Sequence, residues 1–195
     1  EDDLAYNDEN RNDRGNVCIN ESGSNLRVPE AIDYKLSQLT PDDIGDILQG
    51  RSSQRLPAVI SPTGNDNVFI FWSSHGNPGR LDFGEVTSMS YSKMKDFLAQ
   101  TPHRKMLVVE ACYGGGLGET CEGLPATMFL TAANAYESSR ASGWSSYIGV
   151  YLTNSFSEGM EEALSLNAHT TLRDLYFSLA RTVSGSHVKV YNPAN

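Results

Sequence analysis

Three stretches of the chain are apolar at successive positions and short: Asn67-Val68-Phe69-Ile70-Phe71-Trp72, Met106-Leu107-Val108-Val109, and Thr127-Met128-Phe129-Leu130-Thr131-Ala132. They are rich in β-branched and aromatic side chains, and a run with no polar alternation predicts a strand buried on both faces. Val188 to Tyr191 predicts a fourth strand. Thr40-Pro41-Asp42-Asp43 reads as a helix start, with Thr40 as cap, Pro41 in the first turn and two acids at the positive helix end. Ile44, Ile47 and Leu48 give that helix its apolar face, and Gly50 stops it. A short helix is expected over Lys93 to Gln100, and two longer ones over 149–165 and 171–184. Residues 1–35 and 51–66 are polar excursions, Ser73 to Gly79 is a loop, and Gly114-Gly115-Gly116 predicts a mobile loop after the second strand.

Buried strands alternating with helices point to an α/β fold, a mostly parallel sheet with helices on both faces. Sites in such sheets form at the carboxyl ends of the strands. His75 follows the first strand and Cys112 the second. With 195 residues, 39% of them apolar, the chain reads as one domain over 1–195. Fifteen basic against 24 acidic residues give a net charge of −9, which argues against nucleic acid as a partner. No apolar run approaches the roughly 18 residues that would span a membrane.

Of the three cysteines, Cys18, Cys112 and Cys121, none lies in a CxxC pair, so neither a disulfide scaffold nor a zinc site is expected. No other group has metal-ligand spacing, and no metal or cofactor is expected. Asn20-Glu21-Ser22 is a glycosylation triplet of a kind that recurs by chance. Cys112 alone reads as a small buried hydrophobe, and His75 alone as a surface loop histidine. The pair reads differently. Both residues leave adjacent strands on one rim of the sheet. A thiol needs a base or a depressed pKa to attack a carbonyl, and the leaving amine needs a proton. The glycines after Cys112 leave backbone amides that could bind an oxyanion. His103, His169 and His187 have no comparable setting.

The residues Ser74-His75-Gly76 and Glu110-Ala111-Cys112, each ending an apolar strand, resemble the legumain-type cysteine peptidases, a family that includes asparaginyl endopeptidases and the catalytic subunit of the GPI-anchor transamidase. Asp2-Asp3-Leu4-Ala5-Tyr6, Thr131-Ala132-Ala133-Asn134 with Glu137-Ser138-Ser139, and Ser186-His187-Val188 extend the resemblance in order along the chain. It implies a caspase-like three-layer sandwich and a cysteine endopeptidase acting through a thioester acyl-enzyme. Cys112 would be the nucleophile and His75 the general acid/base, with the Gly76 and Cys112 amides as oxyanion hole. Glu110 and Ser139 would line the S1 pocket, with Asn or Asp preferred at P1. A peptide or protein is the implied substrate, and a secreted, periplasmic or endolysosomal location follows by analogy.

Two departures qualify the resemblance. Val150 stands where the asparaginyl endopeptidases carry an acidic S1 residue. The family's strand-helix-strand before the Asp2-Asp3 segment has no counterpart in this sequence, which opens at Glu1 without a Met. That leaves an apolar sheet edge to be covered, and makes the chain's own N-terminal fragment an expected partner. Two rival readings keep the same fold: a transamidase or transpeptidase that resolves the acyl-enzyme with an amine, and a non-catalytic scaffold.

Overall fold

The computed structural model describes residues 4–84 and 86–194, the Glu30 side chain excepted; Asp2 and Asp3, part of one segment of the resemblance, lie outside them. Residues 4–40 form loops with isolated 3-10 turns, ending at helix α1 (Pro41–Leu48). Strand β1 (Asn67–Ser73) is followed by β2 (Gly76–Asn77), β3 (Arg80–Phe83) and β4 (Thr87–Ser90), and then by α2 (Tyr91–Gln100). Next come β5 (Arg104–Glu110), α3 (Gly115–Thr120) and β6 (Thr127–Thr131). A hairpin, β7 (Ala141–Ser145) and β8 (Val150–Asn154), leads into α4 (Ser155–Leu166), α5 (Leu172–Thr182) and β9 (Lys189–Tyr191).

Among the described residues the main sheet runs β1-β5-β6-β9. β1 and β6 flank β5 in parallel, and β9 closes antiparallel to β6. The apolar runs are continuous because β5 is covered twice. Leu107 and Val109 face a cluster with Leu81, Met94, Leu98, Leu117 and Phe129, supplied by the α2–α3 side. Val108 and Met106 face a second cluster with Phe156, Leu175 and Leu179, supplied by α4 and α5. Each such side chain stabilises the fold by about 1.5–3 kcal/mol through burial.

Four expectations change. β1 is not buried on both faces: Phe69 and Phe71 are 61% and 41% exposed. They lie beside Met106 and Val108 in register, at the sheet margin, while Val68, Ile70 and Trp72 turn inward. Residues 150–154 are a strand rather than the start of a helix. Val150, Tyr151 and Thr153 are good strand formers, and they pair with Ser145, Trp144 and Ser142. The glycine run is not a free loop, since Gly115 and Gly116 open α3 and their amides donate to Ala133 O and Tyr113 O. Within the expected loop 73–79, Gly76–Asn77 joins the small antiparallel sheet β2-β3-β4.

Candidate active site

The register of the parallel pair sets the site. Ser73 at the end of β1 faces Glu110 at the end of β5. His75 and Cys112 each lie two residues beyond that matched pair, and the ladder continues as Ser74 N donates to Glu110 O at 3.2 Å. The two loops then touch. A Cβ on Gly76 would stand 2.2 Å from Cys112 O and 3.1 Å from Ala111 Cβ, so only glycine lets the histidine loop lie on the cysteine loop.

Cys112 is half-buried and His75 exposed. Tyr113, next to the thiol, has φ +59°, a left-handed conformation uncommon for a non-glycine residue and found at sharply turned functional positions. The amides are spoken for from Tyr113 onward: Tyr113 N donates to Glu137 O at 2.8 Å and Gly114 N to Ala111 O at 3.2 Å. With Gly115 and Gly116 also bonded, the glycine amides are not free for an oxyanion. The Cys112 N–H, by contrast, has no acceptor among the described residues.

Ser139 Oγ lies 3.7 Å from Cys112 Sγ, so this hydroxyl sits in the thiol's contact shell. Glu110 is 3% exposed. Its carboxylate accepts from Ser73 Oγ at 3.0 Å, Ser157 N at 3.0 Å and Ser157 Oγ at 2.9 Å. One residue thereby joins the ends of β1 and β5 to the first turn of α4, where the open amides favour an anion. Val150 is placed elsewhere. It lines a cavity of about 530 Å³ between segment 4–21 and the hairpin, shared with Cys18, Glu21, Tyr147 and Leu152, and none of His75, Glu110, Cys112 and Ser139 borders it.

A second support has no local pattern in the sequence. Glu137, in the loop carrying Ser139, accepts the His187 amide at 2.6 Å and the Asn134 amide at 3.0 Å, and its other oxygen lies 2.8 Å from His187 Nδ1. Burial pushes the Glu137 carboxyl up, but the amides of Asn134 and His187 and the imidazole outweigh it and hold its pKa below the ordinary value. Glu137 and His187 lie 50 residues apart in sequence, and the fold alone brings them together. No group of three or more His, Cys, Asp or Glu suited to a metal occurs among the described residues, and none of their helices is long and apolar enough to cross a membrane.

Comparison with known proteins gives a consistent picture. The model of the peptidase C13 family matches residues 1–195. A vacuolar-processing enzyme of Ricinus communis is 29% identical over 95% of this chain and 36% of its own length. Legumain of Canavalia ensiformis is 30% identical over 71% of this chain and 31% of its own. The chain thus spans about a third of the length of these relatives. Caspase-1 from Spodoptera frugiperda superposes with a TM-score of 0.53 at 14% identity, over 78% of this chain and 68% of that one, so the fold is caspase-like.

Proposed function

Because the chain belongs to the peptidase C13 family, we propose that it carries the catalytic centre of a cysteine endopeptidase whose dyad is Cys112 and His75. The observation that carries the reading is the approach of Gly76 to Cys112 O, which packs the loop bearing the base against the loop bearing the thiol. In the proposed cycle Cys112 passes its thiol proton to His75 as Sγ attacks the carbonyl carbon of the scissile bond. The oxyanion is received by the Cys112 and Gly76 amides. His75 protonates the leaving amine as the C–N bond breaks, giving a thioester. Water, giving a proton to His75, then attacks the thioester carbonyl carbon; the C–S bond breaks, His75 returns the proton to Sγ, and the carboxylic acid leaves.

Ser139, in contact with Sγ, and Glu110, at the root of the same rim, support an S1 pocket that takes the amide of Asn or the acid of Asp. Val150 lies off that rim, which supports a pocket built without an acidic residue there. The apolar identity of Val150, where the asparaginyl endopeptidases carry an acid, motivates a second reading, in which an amine rather than water resolves the thioester. Product masses with an added amine separate the two. The test of the first reading is labelling by a peptide electrophile with Asn at P1, read by intact mass and peptide mapping. A single adduct on Cys112, abolished by Cys112→Ala and suppressed by His75→Ala, is expected. Labelling only by probes with a basic P1 would remove the S1 assignment, and equal labelling of Cys18 would remove the dyad.

Peptide or protein substrates follow from this reading. So does a partner for β1, whose outer edge is unpaired among the described residues and whose Phe69 and Phe71 are uncovered. A further strand and helix, on the chain's own N-terminal fragment, would cover both.

A further inference from the structure

Tyr91 opens α2, far in sequence from both catalytic loops, yet its side chain reaches each of them. Its hydroxyl lies 2.9 Å from Tyr113 O and 3.2 Å from Asn77 O. Tyr113 follows the thiol directly, and Asn77 is two residues past His75. The ring, 5% exposed, packs on the opening of α3, where a Cβ on Gly116 would meet Tyr91 Cε2 at 2.8 Å. The Tyr91 amide is itself fixed, donating to Gly79 O at 2.9 Å.

We propose that Tyr91 is a positioning residue for the Cys112–His75 pair, its one hydroxyl proton shared between the carbonyls of the two loops. The proposal rests on the dyad reading above and adds a residue that touches neither the reacting atoms nor the S1 pocket. Gly76 makes the two loops touch; contact alone leaves them free to slide. A buried donor bridging Asn77 O and Tyr113 O ties their offset: Tyr113 O keeps the Gly116 amide whatever the loops do, but sliding would pull the buried hydroxyl off one of the two carbonyls it spans. The positive φ at Tyr113 needs such over-determination to persist. Burial pushes the Tyr91 phenol up to about 12, so the hydroxyl remains a donor throughout any working pH.

The test is the rate of alkylation of Cys112 by iodoacetamide against pH, read by peptide mapping of the full chain. Wild type, Tyr91→Phe, His75→Ala and Tyr34→Phe are compared below the melting temperature of every variant. Tyr34→Phe removes another tyrosine hydroxyl that bridges backbone groups, between Ala58 N and O, remote from the site. Tyr91→Phe should move the Cys112 profile toward that of His75→Ala, by about tenfold in rate at its largest separation. Tyr34→Phe should lose comparable thermal stability and keep the wild-type profile. A wild-type profile in Tyr91→Phe, or an equal shift in Tyr34→Phe, overturns the proposal. Coincident profiles for wild type and His75→Ala would instead overturn the dyad on which it rests. Should Tyr91→Phe fail to fold, Gly116→Ala displaces the same ring while keeping its hydroxyl. It must then show the shift, and a wild-type profile there overturns the proposal.

Discussion

Asp43 is buried in the first turn of α1, where its carboxylate accepts the Thr40 amide at 2.7 Å, the Thr40 hydroxyl at 2.9 Å and Arg55 Nη1 at 2.9 Å. Arg55 Nη2 pairs with the other oxygen. The guanidinium lowers the carboxyl pKa, burial opposes it, and the Thr40 donors add to the lowering, so the value falls from 3.8 to about 2. The folded value lies below the unfolded one. The stabilisation is therefore complete above pH 3.8 and is lost as pH falls through about 2. Arg55 is more than half exposed, and water screens the pair, so the worth is about 1–2 kcal/mol. Asp43→Asn should lower the unfolding free energy by that amount near neutrality, with the deficit shrinking toward about pH 2. Urea melts at several pH values check it, and a deficit independent of pH would assign the loss to packing. At this scale the sequence was legible where chemistry and position coincide: a thiol and an imidazole each just past an apolar strand. Tyr91, Glu137 and the Glu110 carboxylate's serine partners were not, because each acts across the fold on residues with no local pattern in common.

Among elements, β5 was legible because it is covered on both faces and carries no alternation to confuse its period. β1 is also a continuous apolar run but has a different fate. It is an edge of the sheet among the described residues, and part of its apolar run, Phe69 and Phe71, is exposed there. An edge with exposed aromatic side chains is a template for further pairing. Residues 1–195 taken alone should therefore self-associate with rising concentration, and Phe69→Lys with Phe71→Lys should keep them monomeric with an unchanged circular dichroism spectrum. Sedimentation velocity over a concentration series is the measurement. Concentration-independent monomer in the unmodified chain would show that this edge does not recruit partners. β3 carried a readable alternation, with Leu81 and Phe83 inward and Arg80 and Asp82 outward. β7 and the glycine-led α3 carried none. Glycine is a poor helix former, and α3 exists because Leu117 and Cys121 are buried against the sheet.

For the whole molecule the question is whether residues 1–195 act as one domain. One sheet serves both clusters, since neighbouring residues of β5 point into opposite ones. Loss of either layer should uncover the sheet from behind the other, so unfolding should be a single transition. Leu98 in α2 and Leu179 in α5 are each fully buried, on opposite faces. Leu98→Ala and Leu179→Ala should each cost about 2–5 kcal/mol through lost burial and the cavity left behind. With the sheet between them and no shared partner, their effects should add within about 0.5 kcal/mol in the double variant. Guanidinium melts followed by circular dichroism and by tryptophan fluorescence test this. Trp72 reports on the α2–α3 layer and Trp144 on the hairpin. Coincident curves, with midpoints lowered and slopes unchanged, are expected for all variants. If Leu179→Ala instead split the transition, with helicity lost before Trp72 responds, then α4 and α5 would form a separable layer. The rim carrying Cys112 and His75 would then rest on the β1-β5-β6 sheet and the α2–α3 side alone.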